Sequence, residues 1–259
     1  MLIALLAGVA LQNTSAEDNG LERTPVLGWS SWSFLRKDPT ADKIKAQALA
    51  LHNSGLQKIG YEYVNLDDFW YQCPGPHGPN VDPNGRWVTD SSRFPAEGDT
   101  DGIKVVADYI HSLGMKFGIY VTPGISKQAV SRNTPIKGTS YTAAEIAEPS
   151  VKENNYNCKG MVRIDYNKPG AQEYTNSWVD MLAAWNIDYI KIDGMTDSNA
   201  DDVKAVECYT AKRAVHGPGR HAGAPYNRYR PDIDEVCESM GIPARRRMLS
   251  LRKGREATR

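Results

Sequence analysis

The sequence predicts an α/β fold of parallel strands joined by helical crossovers, arranged as an incomplete (β/α)8 TIM barrel, and three observations carry that reading. Past residue 25, short β-rich runs alternate with amphipathic helical stretches, and strand, helix, strand in that order implies parallel neighbours, because a hairpin cannot connect them. No GxGxxG follows the first strand run, which weighs against a doubly wound dinucleotide sheet. Polar and aromatic residues gather at the carboxyl ends of the strand runs, where barrels keep their chemistry. A full barrel needs eight strands in about 250 residues, and four have been used by Asp193, so only about the first four or five units are expected.

Leu27 to Ser31 is the first predicted strand. Thr40 can cap a helix whose apolar positions Ile44, Ala48 and Leu51 follow helical spacing, with Gly55 as its stop. Tyr63 to Leu66 is the second strand, closed by Asp67 and Asp68, and Pro74 to Arg86 reads as a Gly- and Pro-rich loop. Ile103, Val106, Ala107 and Ile110 line one face of a helix stopped by Gly114, and Phe117 to Val121 follows as the third strand. Pro169 suits the first turn of a helix with the stripe Tyr174, Trp178, Met181, Leu182 and Trp185, before a fourth strand, Tyr189 to Ile192.

The chain has 259 residues, of which 41% are hydrophobic, enough for a sizeable core. Its 31 basic and 31 acidic residues cancel, so no whole-chain attraction to nucleic acid or anionic membrane is expected. The balance is segregated: from Lys212 on there are 12 basic and 5 acidic residues, leaving 19 and 26 before it. The longest apolar run, Leu2 to Leu11, is ten residues, well short of the roughly 18 a transmembrane helix requires. With Thr14, Ser15 and Ala16 behind it, it reads as a secretory signal over residues 1–16, although no basic residue precedes Arg23. Secretion or a periplasmic location is the corresponding expectation. Cys73, Cys158, Cys208 and Cys237 lack zinc spacing, and an exported protein could pair some of them. His52 and His111 fall late in predicted helices and suit their carboxyl ends.

The strand ends carry Trp29 and Trp32, Asp67 and Asp68, Tyr120, and Lys191 with Asp193. Aromatic faces pack against the CH face of a pyranose while carboxylates and ammonium take its hydroxyls, so a sugar pocket is plausible. Each residue has a plainer reading too: Trp29 as core, the Asp pair as a helix cap, Lys191 with Asp193 as a structural ion pair. The last pair is the most informative. Residues i and i+2 of a strand share a face, so an inward Lys accompanies an inward Asp, and inward charges need a partner or a task.

Five stretches in order resemble the melibiase-type α-galactosidases of glycoside hydrolase family 27: Pro25 to Trp32 (PVLGWSSW), Gly60 to Trp70 (GYEYVNLDDFW), Arg93 to Pro95, Leu113 to Tyr120 (LGMKFGIY) and Asp188 to Gly194 (DYIKIDG). The resemblance spans about residues 22–210 and implies a retaining glycosidase on a TIM barrel. It makes Asp193 the nucleophile, Lys191, Asp67 and Asp68 sugar-binding groups, and Trp32 and Tyr120 pocket walls. A second carboxyl group about 5 to 5.5 Å from the first would protonate the leaving oxygen and then activate water. No metal or organic cofactor is implied; the implied partner is a galactoside.

The sequence also departs from the pattern. Met195 stands where many relatives have a Cys, and the connection from Thr122 to Arg163 is long, as in a bacterial branch. Residues 22–211 are therefore expected to form a partial catalytic barrel and residues 212–259 a basic tail that does not resemble the family, as a truncation or a frame slip near Lys212 would produce. The segment around Asp232 only distantly echoes the family's acid/base segment. Alternatives are a β-L-arabinopyranosidase, α-N-acetylgalactosaminidase or isomaltodextranase of the same clan, or a non-catalytic carbohydrate-binding remnant. Nucleic-acid binding through Arg245 to Arg247 has little support, because no aromatics interleave.

Overall fold

The computed structural model describes residues 26–153 and 155–216. The expected signal segment, the segment around Asp232 and nearly all of the basic tail lie outside them. A parallel four-stranded sheet organises the described residues, built from β1 (Leu27–Ser30), β2 (Tyr61–Leu66), β3 (Lys116–Val121) and, later in the chain, Tyr189–Ile192. Its strands lie in chain order with every neighbour parallel. A doubly wound sheet reverses its order at a switch point, whereas a barrel runs in sequence, so this is part of an α/β barrel.

The crossover helices form where the sequence places them. After the short α1 (Ser31–Phe34), α2 (Ala41–Asn53) starts at Thr40, whose hydroxyl accepts the Lys43 N–H at 3.3 Å, and the chain leaves it through Gly55 at φ +81°. Asp101 caps α3 (Gly102–Ser112) by accepting the Ile103 N–H at 2.8 Å. One face of the sheet, formed by Val64, Leu66, Phe117 and Ile119, is fully buried in one cluster with Ile44 and Ala48 of α2 and Ile103, Val106 and Ile110 of α3. Alternation then turns Tyr63, Asn65, Gly118 and Tyr120 to the other face. Gly118 is required there: a Cβ would stand 2.0 Å from Asn65 Oδ1 and 3.0 Å from Tyr189 Cδ1.

The long Thr122 to Arg163 connection folds into a second, antiparallel sheet. It comprises β4 (Ile125–Ser126), α4 (Lys127–Arg132), α5 (Ala143–Ile146), β5 (Ala147–Glu153) and β6 (Met161–Ile164), with strand order β4-β6-β5. The chain then forms α6 (Ala171–Ala184), β7 (Tyr189–Ile192) and α7 (Ala200–His216). Pro169 does not lie in the first turn of α6 as expected. The helix begins at Ala171 behind Gly170 at φ +96°, because the turn Asp165 to Lys168 closes immediately ahead of it, with Lys168 N–H donating to Asp165 O at 3.0 Å.

The Pro74 to Arg86 stretch is a loop, as expected, and is held from below by aromatic packing. Trp70, Trp87, Trp178 and Trp185 interlock with ring centroids 5.3 to 5.9 Å apart, and the Tyr174 hydroxyl donates to Gly85 O at 2.9 Å. Trp29 packs half-buried against the core, as its plainer reading held.

Candidate active site at the carboxyl ends of the strands

Asp67 and Asp68 follow β2, and Asp193 follows β7, the two strands that flank β3. The strand register pairs Tyr120 with Lys191, so both project to the same face, and the ammonium lies 5.3 Å from the tyrosine ring centre. Lys191 Nζ reaches Asp67 Oδ2 at 2.8 Å and Asp193 Oδ2 at 3.2 Å. The lysine thus links carboxylates that are 126 positions apart in the chain. Burial pulls its pKa down, but the hydrogen bonds and charges of Asp67 and Asp193 together raise it above lysine's usual value.

Asp68 is 2% exposed and has no cation within salt-bridge distance among the described residues. Its charge is met by neutral donors instead. The Tyr71 hydroxyl and the Phe69 N–H donate to Oδ1 at 2.7 and 2.8 Å, and Asn157 Nδ2 donates to Oδ2 at 2.7 Å. Burial, with the adjacent Asp68 charge, raises the Tyr71 pKa far above its usual value, so the phenol keeps its proton and remains a donor. Phe69 takes φ +74°, a conformation that costs a side-chain-bearing residue on the order of 1 kcal/mol and marks a local constraint beside the carboxylates.

The Tyr120 phenol is held above its usual pKa by burial and by the charges of Asp68, Asp193 and Asp67, in that order. Its hydroxyl has no hydrogen-bond partner among the described residues, which leaves a donor free for a ligand. Its carbonyl accepts from Trp70 Nε1 at 2.8 Å, so the aromatic cluster below fixes the strand end. Trp32 lies parallel to Phe69 at 6.4 Å with the Arg36 guanidinium 5.5 Å from its ring centre, forming a half-buried rim on the β1 side. Asp193 is anchored by its own N–H to Val121 O at 2.9 Å, while its Oδ1 accepts the Gly194 N–H at 2.8 Å. Among the described residues, no group of His, Cys, Asp and Glu has the arrangement to hold a metal ion.

Asp67, Asp68, Tyr120, Lys191 and Asp193 therefore converge, with Trp32 at the edge. Reading the sequence missed Ser31, whose hydroxyl accepts the Asp67 N–H at 2.8 Å, and also Tyr71, Asn155 and Asn157. Ser31 sits within the Trp-bearing motif and Tyr71 directly follows the Asp-Asp-Phe-Trp run, so proximity to a motif could have flagged both. The two asparagines carry no local signal. Nor is His111 only a complement to its helix end: its Nε2 lies 2.7 Å from Asp188 Oδ2, the oxygen that also accepts the Phe117 N–H and ties β3 to the segment before β7.

Residues 24–131 match the family model described as alpha galactosidase A. The chain is 31% identical over 183 residues to an α-galactosidase of Oryza sativa, covering 71% of this chain and 33% of the relative. It is 29% identical over 231 residues to α-galactosidase A of Cellvibrio japonicus, covering 89% and 42%. Among solved structures, a GH27 β-L-arabinopyranosidase of Geobacillus stearothermophilus in complex with arabinose superposes with a TM-score of 0.61 at 33% identity, over 72% of this chain and 46% of that one. The chain belongs to glycoside hydrolase family 27. The four-stranded arc is thus the first part of the family's barrel, and this family-27 chain spans about a third to two fifths of the length of those curated relatives.

Proposed function

We propose that this chain carries the sugar-binding and nucleophile portion of a retaining glycosidase acting on terminal α-D-galactosyl residues. One observation carries the reading: a single ammonium bridges Asp67 and Asp193 across the open ends of β2 and β7. In this reading Asp193 attacks the anomeric carbon to form a glycosyl-enzyme, and Lys191 stabilises the attacking carboxylate. Asp67 and Asp68 accept from the sugar hydroxyls, the unpartnered Tyr120 hydroxyl donates to the sugar, and Trp32 closes the rim. The acid/base carboxyl group has no candidate among these residues, so departure of an unactivated leaving group would lack a contribution of about 10² to 10⁴-fold. Residues 22–211 are proposed as the catalytic part and 212–259 as a tail, although α7 (Ala200–His216) continues across that boundary.

Calorimetry with galactose, paired with turnover of nitrophenyl α-galactoside by the 259-residue chain, tests the assignment. Galactose binding that Asp67→Asn abolishes supports it, and binding that ignores Asp67→Asn overturns it. Galactose binding unaffected by Asp193→Asn, with no turnover by the parent, favours the non-catalytic reading. A second substrate class has a specific observation in its favour, the arabinose-bound neighbour: arabinopyranose has the galactose ring without the hydroxymethyl group, so aryl β-L-arabinopyranoside belongs in the same panel. Export to an oxidising compartment is also proposed, since Cys73 and Cys158 form a disulfide. No helix among the described residues is long and apolar enough to cross a membrane.

A further inference from the structure

The carboxylate of Asp68 depends on a loop that belongs to the second sheet rather than to the barrel. Asn157 lies between β5 and β6, and its amide nitrogen is 2.7 Å from Asp68 Oδ2, across 89 positions of sequence. No other hydrogen bond to that oxygen is made among the described side chains, whereas Oδ1 has the Tyr71 hydroxyl and the Phe69 N–H. Three features hold the Asn157 loop in place. Cys158, the next residue, is bonded to Cys73 in the loop that follows β2. Asn155 Oδ1 accepts the Cys158 N–H at 3.2 Å, and the same amide lies 3.1 Å from the Tyr71 hydroxyl oxygen, so one side chain sets the loop against the partner of Asp68. The two loops also meet backbone to backbone: Gly160 at φ +116° would bring a Cβ within 2.3 Å of Gly78 N, so no side chain fits at the crossing.

We propose that Asn157, latched by the Cys73–Cys158 bridge, is a positioning residue that orients Asp68 for sugar binding. This inference rests on the sugar-site reading above. A carboxylate that is to accept a sugar hydroxyl must present a fixed oxygen, and an amide donor on Oδ2 fixes its rotation while leaving the second lone pair of that oxygen available. Met195 leaves this chain without a cysteine beside Asp193, so the bridge secures the Asp68 side of the site rather than the Asp193 side.

The test measures galactose affinity of the full 259-residue chain by calorimetry, with thermal unfolding as the check on folding. Asn157→Ala is expected to weaken binding about tenfold or more, the usual scale for a lost hydrogen bond to a charged group. The double variant Cys73→Ser/Cys158→Ser is expected to weaken it in the same direction while keeping Asn157. Asn157→Asp supplies a readout that a purely structural role would not move. At neutral pH its carboxylate repels Asp68, and as pH falls toward 5 a shared proton restores the contact, so affinity rises on acidification while that of the parent stays flat. Parental affinity in Asn157→Ala and in the double serine variant, or a flat pH profile in Asn157→Asp, overturns the inference and leaves the sugar site standing. A parent that binds no galactose overturns the sugar site and this inference together.

Discussion

Replacing Lys191 by Met keeps the aliphatic stem and removes the ammonium that Asp67 and Asp193 share. The loss is asymmetric: the Asp67 side chain is 5% exposed and cannot recover water, whereas Asp193 is 34% exposed and can. Breaking a fully buried ion pair costs about 3–5 kcal/mol and an exposed one about 0–1. With Lys191 itself 41% exposed, the coupling to Asp67 is screened to about 2 kcal/mol. For a domain of this size that lowers the melting temperature by about 4–8 °C. The assay is a double-mutant cycle of Lys191→Met and Asp67→Asn, read by thermal unfolding. The pH dependence adds a second constraint. The folded-state pKa of Lys191 is raised above its usual 10.5, so the stabilisation is fully present below 10.5 and is lost as pH rises through the folded value. The gap between parent and Lys191→Met is therefore expected to hold across neutral pH and close in the alkaline range above 10.5. A coupling below about 0.5 kcal/mol, the noise of additivity, or a gap that closes between pH 5 and 8, would refute the bridge as described.

Three further outcomes follow from single contacts. Trp70→Phe leaves the Tyr120 carbonyl without its 2.8 Å donor and is expected to cost about 1–3 kcal/mol in urea unfolding, with the loss absent if water replaces the indole. Gly118→Ala drives a methyl into Asn65 Oδ1 and is expected to destabilise by about 1–3 kcal/mol; an unchanged denaturation midpoint would show that the β2–β3 interface has slack. Asp202, buried on α7, is pushed up to about 7 by burial, against the Gly124 N–H that lowers it, and with the Glu153 charge adding to the rise. A raised folded pKa means that its stabilising contribution is full below 3.8 and lost as pH rises toward 7. Asp202→Asn is thus expected to stabilise the protein at pH 7.5 relative to the parent and not at pH 4, measured by chemical denaturation at both values.

Much of the barrel was legible because its signals are local. A hydroxyl at position 40 accepts the N–H of residue 43 when a helix begins between them, and a glycine at 55 accepts a left-handed backbone that other residues resist. The shared inward face of Lys191 and Asp193 follows from a strand's two-residue period. Locating the start of α6 at Pro169 failed by two residues because the Asp165 to Lys168 turn and the left-handed Gly170 come before it, and a Cβ at Gly170 would meet Tyr141 at 2.8 Å, a contact from another part of the chain.

By itself, then, the sequence determined the order and kind of the barrel elements and the identity of the charged residues at their ends, because sterics, capping and side-chain alternation act over a few residues. Tertiary structure alone decided that Lys191 also reaches Asp67, that Cys73 pairs with Cys158, and that Asn157 answers Asp68. Those contacts cross loops that have no period of their own. Their geometry is selected by the packing of whole elements, which brings residues 85 to 124 positions apart within bonding distance.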